Sequence, residues 1–225
     1  MGSFDIVIVG GAVMGSAAAY WLTRFDPGCR VLVVERDSSY ARSSTALSAA
    51  SIRQQFSTEV NVRISQFGAE FLKTFSEEMD LDENFDLGFI QNGYLFLACS
   101  EQTATAMRLS VATQKSCGAG TELLSPTEVA CSFPFLAVED LELASFGPRD
   151  EGWFDNMGLL NGFRRKAIAS GATFLKDEVV GLTRTGGRVS GVELRSGADV
   201  GAGVVINAAG PAAARVMGFL GEEIP

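Results

Sequence analysis

Apolar positions along the chain change period several times, and each change marks an element. Residues 5–10 (DIVIVG) form a continuous β-branched run, the pattern of a strand buried on both faces. Gly10, Gly11 and Gly15 then open an Ala-rich segment that predicts a helix to about Phe25, ended before Pro27-Gly28. Residues 31–35 (VLVVE) repeat the buried-strand pattern. Strand, glycine turn, helix and strand in that order are a βαβ unit. Across residues 57–79, Val60, Ile64, Phe67, Phe71, Phe75 and Met79 recur at spacings of 3 and 4, predicting a long amphipathic helix with this stripe in the core.

Beyond it, acidic residues 80–86 read as a domain crossing and residues 93–98 as a strand. Ser100 is placed to cap a helix reaching Cys117, with Gly118 as its stop. Ser125-Pro126-Thr127-Glu128 is a capping box with proline at the first helical position, predicting a short helix over 126–133. Residues 141–146 predict a strand, 159–170 a helix closed by Gly171, and 172–175 and 178–183 two strands. Gly186-Gly187 turns into a further strand over 188–194. Residues 204–207 are a last buried strand, followed by a turn into a helix. The chain has no internal repeat and no low-complexity tract.

Composition narrows the chemistry. Hydrophobic residues make up 47% of the 225, and charged residues 20%, which is globular rather than disordered. The 18 Lys and Arg against 27 Asp and Glu give a net charge of −9, so a phosphate-neutralising surface for nucleic acid is not expected. Histidine is absent, which removes His-based nucleophilic catalysis, His-ligated zinc and a histidyl-linked cofactor. Four cysteines without a C-x-x-C spacing read as a reduced, cytoplasmic chain. The charge-free run over 6–23 has the length of a membrane span or signal peptide. No Lys or Arg precedes it, Asp5 stands at its mouth and three glycines interrupt it, so neither is expected. Gly2 opens no myristoylation signal, because Ile6 stands where Ser or Thr is required.

The glycine turn carries the strongest candidate chemistry. A dinucleotide site needs backbone N–H groups aimed at a pyrophosphate from a helix N-terminus, with an acid about 20 residues on for the ribose hydroxyls. Gly10, Ala12 and Gly15 occupy the fingerprint positions, Gly11, Val13 and Met14 lie between them, and Glu35 follows Gly15 by 20 residues at a strand end. Alanine at the second position puts a methyl group where the pyrophosphate approaches the backbone. Glu35 disfavours a 2′-phosphate and hence NADP. Arg36 reads as a cover for the adenine face, or as a solvated surface arginine. A βαβ crossover whose glycines serve packing alone is the bland alternative.

The segments DIVIVGGAVMGSAAAYWL, VLVVERD, SSTALSAASIRQQF, DEGWFD and VVINAAG, in this order, resemble the D-amino-acid oxidase/sarcosine oxidase family of FAD-dependent oxidoreductases. ERD, the SST-LS stretch, IRQQF and EGWFD resemble its branch of FAD-dependent oxidoreductase domain-containing proteins most closely. The resemblance implies an α/β fold, with a Rossmann-like FAD-binding domain and an inserted α+β substrate domain, incomplete at the C-terminus. Its segments would be 1–84 and 151–225 for FAD and 85–150 for substrate. It implies noncovalent FAD, with Ser43, Ser44 and Thr45 at the pyrophosphate. Ser48 to Gln54, including Ala50, Ser51 and Arg53, would run beside the flavin. Val179 would meet adenine through its backbone, and Ala208, Ala209 and Gly210 would form a late turn near the cofactor.

The implied reaction is oxidation at the carbon–nitrogen bond of an amino acid or secondary amine. Arg53 is placed to fix a carboxylate, and no catalytic base is named. Ser43–Thr45 also suit a plain helix cap, and Arg53, Gln55 and Phe56 suit packing or a salt bridge. Departures from the family pattern are Ala12, Ala50 and Ser51 in place of glycines, and the end of the chain at Pro225. Two rival readings follow: a noncatalytic FAD-binding module with a protein partner, and an NAD-dependent dehydrogenase if the glycine turn is taken alone.

Overall fold

The structure is a computed structural model and describes residues 2–80 and 85–224. In chain order its elements are β1 (Ser3–Val9), α1 (Val13–Phe25), β2 (Val31–Glu35), β3 (Ser51–Ile52), α2 (Glu59–Met79), β4 (Tyr94–Ala98), α3 (Glu101–Ser116) and β5 (Glu122–Leu124). They continue with α4 (Pro126–Ser132), β6 (Leu143–Gly147), β7 (Gly152–Trp153), α5 (Asn156–Ala169), β8 (Thr173–Lys176), β9 (Val179–Thr185), β10 (Arg188–Leu194) and β11 (Asp199–Asn207). A 3-10 turn (Gly210–Ala212) and α6 (Ala213–Gly218) follow. The chain divides into two compact units. One comprises Met1–Ser48, Met79–Leu81 and Asn156–Pro225; the other comprises Ala49–Glu78 and Asp82–Asp155.

The first unit is built on a parallel sheet in the order β8-β2-β1-β11. Its two central strands are the β-branched runs of the βαβ unit, and Val7, Ile8 and Val31–Val34 are all 2% exposed or less. α1 and α5 pack together, with Tyr20 against Phe163 at 5.5 Å between ring centroids. β9, β10 and the first residues of β11 add an antiparallel meander. Only Asp177 and Glu178 separate β8 at one end of the strand order from β9 at the other. Two residues cannot span a six-stranded sheet, so the meander folds back over the parallel strands. Val179, Val192, Leu194 and Val200 accordingly share a core with Val7, Val9, Leu32 and Val34.

The second unit holds an antiparallel sheet, β4-β6-β5, the short pair β3-β7, and the helices α3, α4 and all but the last residue of α2. Both predicted caps form. Ser100 accepts from the Thr103 N–H at 3.2 Å, and Ser125 and Glu128 make the reciprocal capping box.

Several expectations shift. The charge-free run over 6–23 is divided between β1 and α1, and no helix among the described residues is long and apolar enough to cross a membrane. α5 begins at Asn156, a turn before the predicted start. β11 begins at Asp199, because Gly201 and Gly203 hide the strand pattern where it passes close to Ser3 and Asp5. β3, β5 and β7 have only two or three residues, too few to show a period. Of the acidic crossing over 80–86, residues 81–84 lie outside the described part. α2, expected with the first segment, clusters with the second unit except for Met79.

The stripe on α2 is the main correction. Phe75 and Met79 are buried, but Val60, Ile64 and Phe67 are 62%, 63% and 61% exposed. The buried face runs through Val62, Ser65, Ala69, Leu72, Phe75 and Met79. Two small residues in the middle of that face let the bulkier exposed residues dominate the pattern. Phe75→Ala should therefore cost about 3–5 kcal/mol in urea unfolding, whereas Phe67→Ala should cost under about 1 kcal/mol. Equal costs would contradict this assignment of the two faces.

Candidate functional site

In the first unit the end of β1 and the start of α1 nearly touch. Gly10 has a φ of +100°, and a Cβ there would lie 2.5 Å from the Ala208 carbonyl oxygen. A Cβ on Gly15 would collide with the Gly10 carbonyl oxygen. Glycine at both positions lets the helix begin directly above the strand end. The turn is tied to its neighbours: Gly10 N–H donates to Val34 O at 2.9 Å, and Ala208 N–H to Val9 O at 2.9 Å. Ala12 is the N-cap with φ −66°, a conformation that needs no glycine, and its side chain makes no capping bond. The first turn of α1 carries no acidic residue, so the positive end of the helix is not neutralised from within.

Glu35 closes one side. Its Oε2 accepts from the Gly11 N–H at 2.7 Å and its Oε1 from the Asp37 N–H at 2.8 Å. Thr45 is buried on another side, and its Oγ1 accepts from the Val13 N–H at 3.3 Å. Ser43 Oγ accepts from Ala46 N–H at 3.1 Å, so Ser43 caps a turn, while Ser44 stays exposed. A Cβ at Gly210 would come within 4.0 Å of Ser44 Oγ. Ala209 N–H donates to Asn207 Oδ1 at 3.3 Å, fixing the turn after β11.

The structure thus gathers Gly10–Gly15, Glu35, Ser43–Thr45 and Ala208–Gly210 at one end of the parallel strands. Arg36 lies beside them and is exposed. Val179 packs with Val7, Val9, Leu32 and Val34 in the core, at the start of β9. Asn156 went unpredicted. Its Nδ2 donates to Thr45 O at 2.5 Å and to Ser48 O at 3.3 Å, bracing the loop. Its place just after Asp155, where α5 starts, was the available signal.

Ala50, Ser51, Arg53 and Gln54, expected beside the flavin, cluster with the second unit. The cause is local pairing: Ser51 and Ile52 make β3 against Trp153 and Gly152, and Gln54 N–H donates to Glu151 Oε1 at 2.8 Å. Ala50 has a φ of +51°, which costs an alanine about 1 kcal/mol and is the reason glycine suits that position. The Arg53 guanidinium carbon sits over Phe56, Tyr94 and Phe96 at 4.8, 5.5 and 5.4 Å. Its Nε is buried without a hydrogen-bond partner among the described residues. Glu151, also unpredicted, is 1% exposed. Burial pushes its carboxyl above the usual range, against the pull of Gln55, Gln54 and the Arg53 charge.

A glycine turn feeding a helix N-terminus with no acidic residue in its first turn, and an acid at the next strand end, is the arrangement of a nucleotide-binding α/β protein. The sequence profile of the family described as FAD dependent oxidoreductase (DAO) matches residues 5–225, and the chain belongs to that family. "FAD-dependent oxidoreductase domain-containing protein 1" of Bos taurus is 47% identical over 180 residues, covering 78% of this chain and 37% of that protein. Mitochondrial sarcosine dehydrogenase of Mus musculus is 28% identical over 227 residues, covering 98% of this chain and 24% of that one. The crystal structure of L-proline dehydrogenase from P.horikoshii superposes with a TM-score of 0.84 at 30% identity, over 99% of this chain and 57% of that one. The chain therefore spans little more than a third of the bovine relative's length.

The family's cofactor is FAD, so the nicotinamide alternative gives way. The Gly10–Gly15 cradle, the helix end and Glu35 fit the ADP half of that molecule. Glu35→Ala should weaken FAD retention by roughly 10-fold or more, as expected for losing hydrogen bonds to a charged group. Arg36→Ala should weaken it less. Equilibrium dialysis of both variants checks this, and the reverse order would contradict the assigned roles.

Proposed function

We propose that this chain carries the FAD-binding part, and a portion of the substrate part, of an oxidoreductase acting on the carbon–nitrogen bond of an amino acid or secondary amine. The observation that carries the reading is Arg53, a cation enclosed by three aromatic rings with a buried, unpartnered Nε. Among the described residues no ion pair engages that guanidinium directly, and a carboxylate is the planar anion that its fork matches. Sarcosine and proline, named in two relatives, each join a secondary amine to a carboxylate.

Bound FAD supplies a two-electron acceptor for the hydride equivalent that leaves the carbon bearing nitrogen. The chain's own part is to orient and to shield. Gly10–Gly15, Glu35 and Thr45 hold the nucleotide end. Arg53 holds the substrate carboxylate, which fixes the amine-bearing carbon at a set distance from that anchor. Phe56, Tyr94 and Phe96 keep water from the guanidinium and so strengthen its attraction for an anion.

A second reading, a noncatalytic FAD-binding module, is favoured by the exposed Val60, Ile64 and Phe67 on α2, which suit a protein partner. Anaerobic titration separates the two. Sarcosine or L-proline should bleach the visible flavin absorbance of the purified protein, and Arg53→Gln should raise KM by about 10-fold or more with a smaller change in kcat. Yellow protein bleached by no amino acid or N-methylated amine would favour the module.

A further inference from the structure

We propose that Glu151 is a positioning residue for Arg53: its buried carboxylate and the Ser65 hydroxyl together clamp the single peptide unit joining Arg53 to Gln54. The inference rests on the reading of Arg53 as a carboxylate anchor.

That planar unit has two polar ends, and a buried side chain holds each. Ser65 Oγ, from α2, donates to the Arg53 carbonyl oxygen. Glu151 Oε1, from the segment before β7, accepts from the Gln54 N–H at 2.8 Å. Because the amide is rigid, fixing both ends fixes the plane from which the Arg53 side chain departs. Glu151 Oε2 also accepts from Gln55 Nε2 at 2.8 Å. Gln55 is locked in turn: its Nε2 donates to Tyr94 O at 2.7 Å and its Oε1 accepts from Ser145 Oγ at 2.6 Å. Tyr94 is one of the three rings around the guanidinium. A single carboxylate therefore braces the anchor's backbone and, through Gln55, one wall of its aromatic enclosure.

The fold makes room for this group at a cost. A Cβ on Gly147 would lie within 2.5 Å of Glu151 Oε1, so β6 keeps glycine opposite the carboxylate. A buried carboxylate is expensive to desolvate, and packing alone would be served by an apolar residue of the same size. What an apolar residue cannot do is accept two hydrogen bonds from adjacent residues in a fixed direction.

The test uses the full chain loaded with FAD, with acetate and acetamide as probes, read by NMR shifts of the backbone amides around Arg53. Arg53→Gln should weaken acetate binding by roughly 10-fold or more. Glu151→Gln keeps the shape but puts an amide donor toward Gln55, and Ser65→Ala removes the other end of the clamp. Each should weaken acetate binding by about 3- to 10-fold through misplacement of the anchor, leaving acetamide binding and FAD retention unchanged. The Gln54 amide should exchange its hydrogen roughly 10-fold faster in Glu151→Gln. If Glu151→Gln does not fold, Ser65→Ala decides by the same measurements. Loss of acetate affinity in Arg53→Gln but in neither clamp variant overturns the positioning role. So does loss in Glu151→Gln that merely tracks thermal stability and FAD retention, with Ser65→Ala harmless. Unchanged acetate affinity in Arg53→Gln removes the anchor itself, and this proposal with it.

Discussion

The near-contact between Gly15 and the Gly10 carbonyl oxygen is the constraint on which the first unit depends. It lets α1 start without a spacer, so that the amide end of the helix stands directly over the carboxyl end of the parallel strands. Glu35 and Thr45 then only have to hold that end in place, through the Gly11 and Val13 N–H groups. The 207–210 turn completes the wall because Gly10 leaves room for the Ala208 carbonyl. These contacts join separate stretches of the chain, and together they present the positive end of a helix to whatever anion lies there.

The second unit works by a different physical device. Its candidate site is a buried network of Glu151, Gln54, Gln55, Ser145 and Ser65, in which unpaired polar groups would be costly. Such a network specifies geometry rather than stability. Arg53 departs from this frame toward three aromatic rings, and its Nε is buried without a hydrogen-bond partner among the described residues. The first unit carries helix-end amides with an acid, and the second a cation whose backbone is held by buried polar bonds.

Much of the first unit was legible in the sequence because its signals are continuous. DIVIVG and VLVVE are buried on both faces and show as unbroken apolar runs. The glycine turn and Glu35 have a spacing set by one helix and one strand. Legibility failed where small residues hid a buried face, as Ser65 and Ala69 do in α2, or where glycines masked a strand, as in the first half of β11. It also failed for residues whose role is to accept or donate one long-range hydrogen bond. Asn156 and Glu151 reach partners about 100 residues away, and no periodicity reports that. The clustering of 50–54 with the second unit was hidden for the same reason, since β3 pairs with β7 across a hundred residues of chain.

Equilibrium titration with FAD, followed by quenching of flavin fluorescence, tests the nucleotide site of the first unit most directly. The wild-type chain should bind one FAD, released on unfolding, while Gly15→Val, whose side chain has no room beside the Gly10 carbonyl oxygen, should lose that binding and melt at a lower temperature. A wild-type chain that takes up no FAD, or a folded Gly15→Val that binds it as tightly as the wild type, would contradict the account.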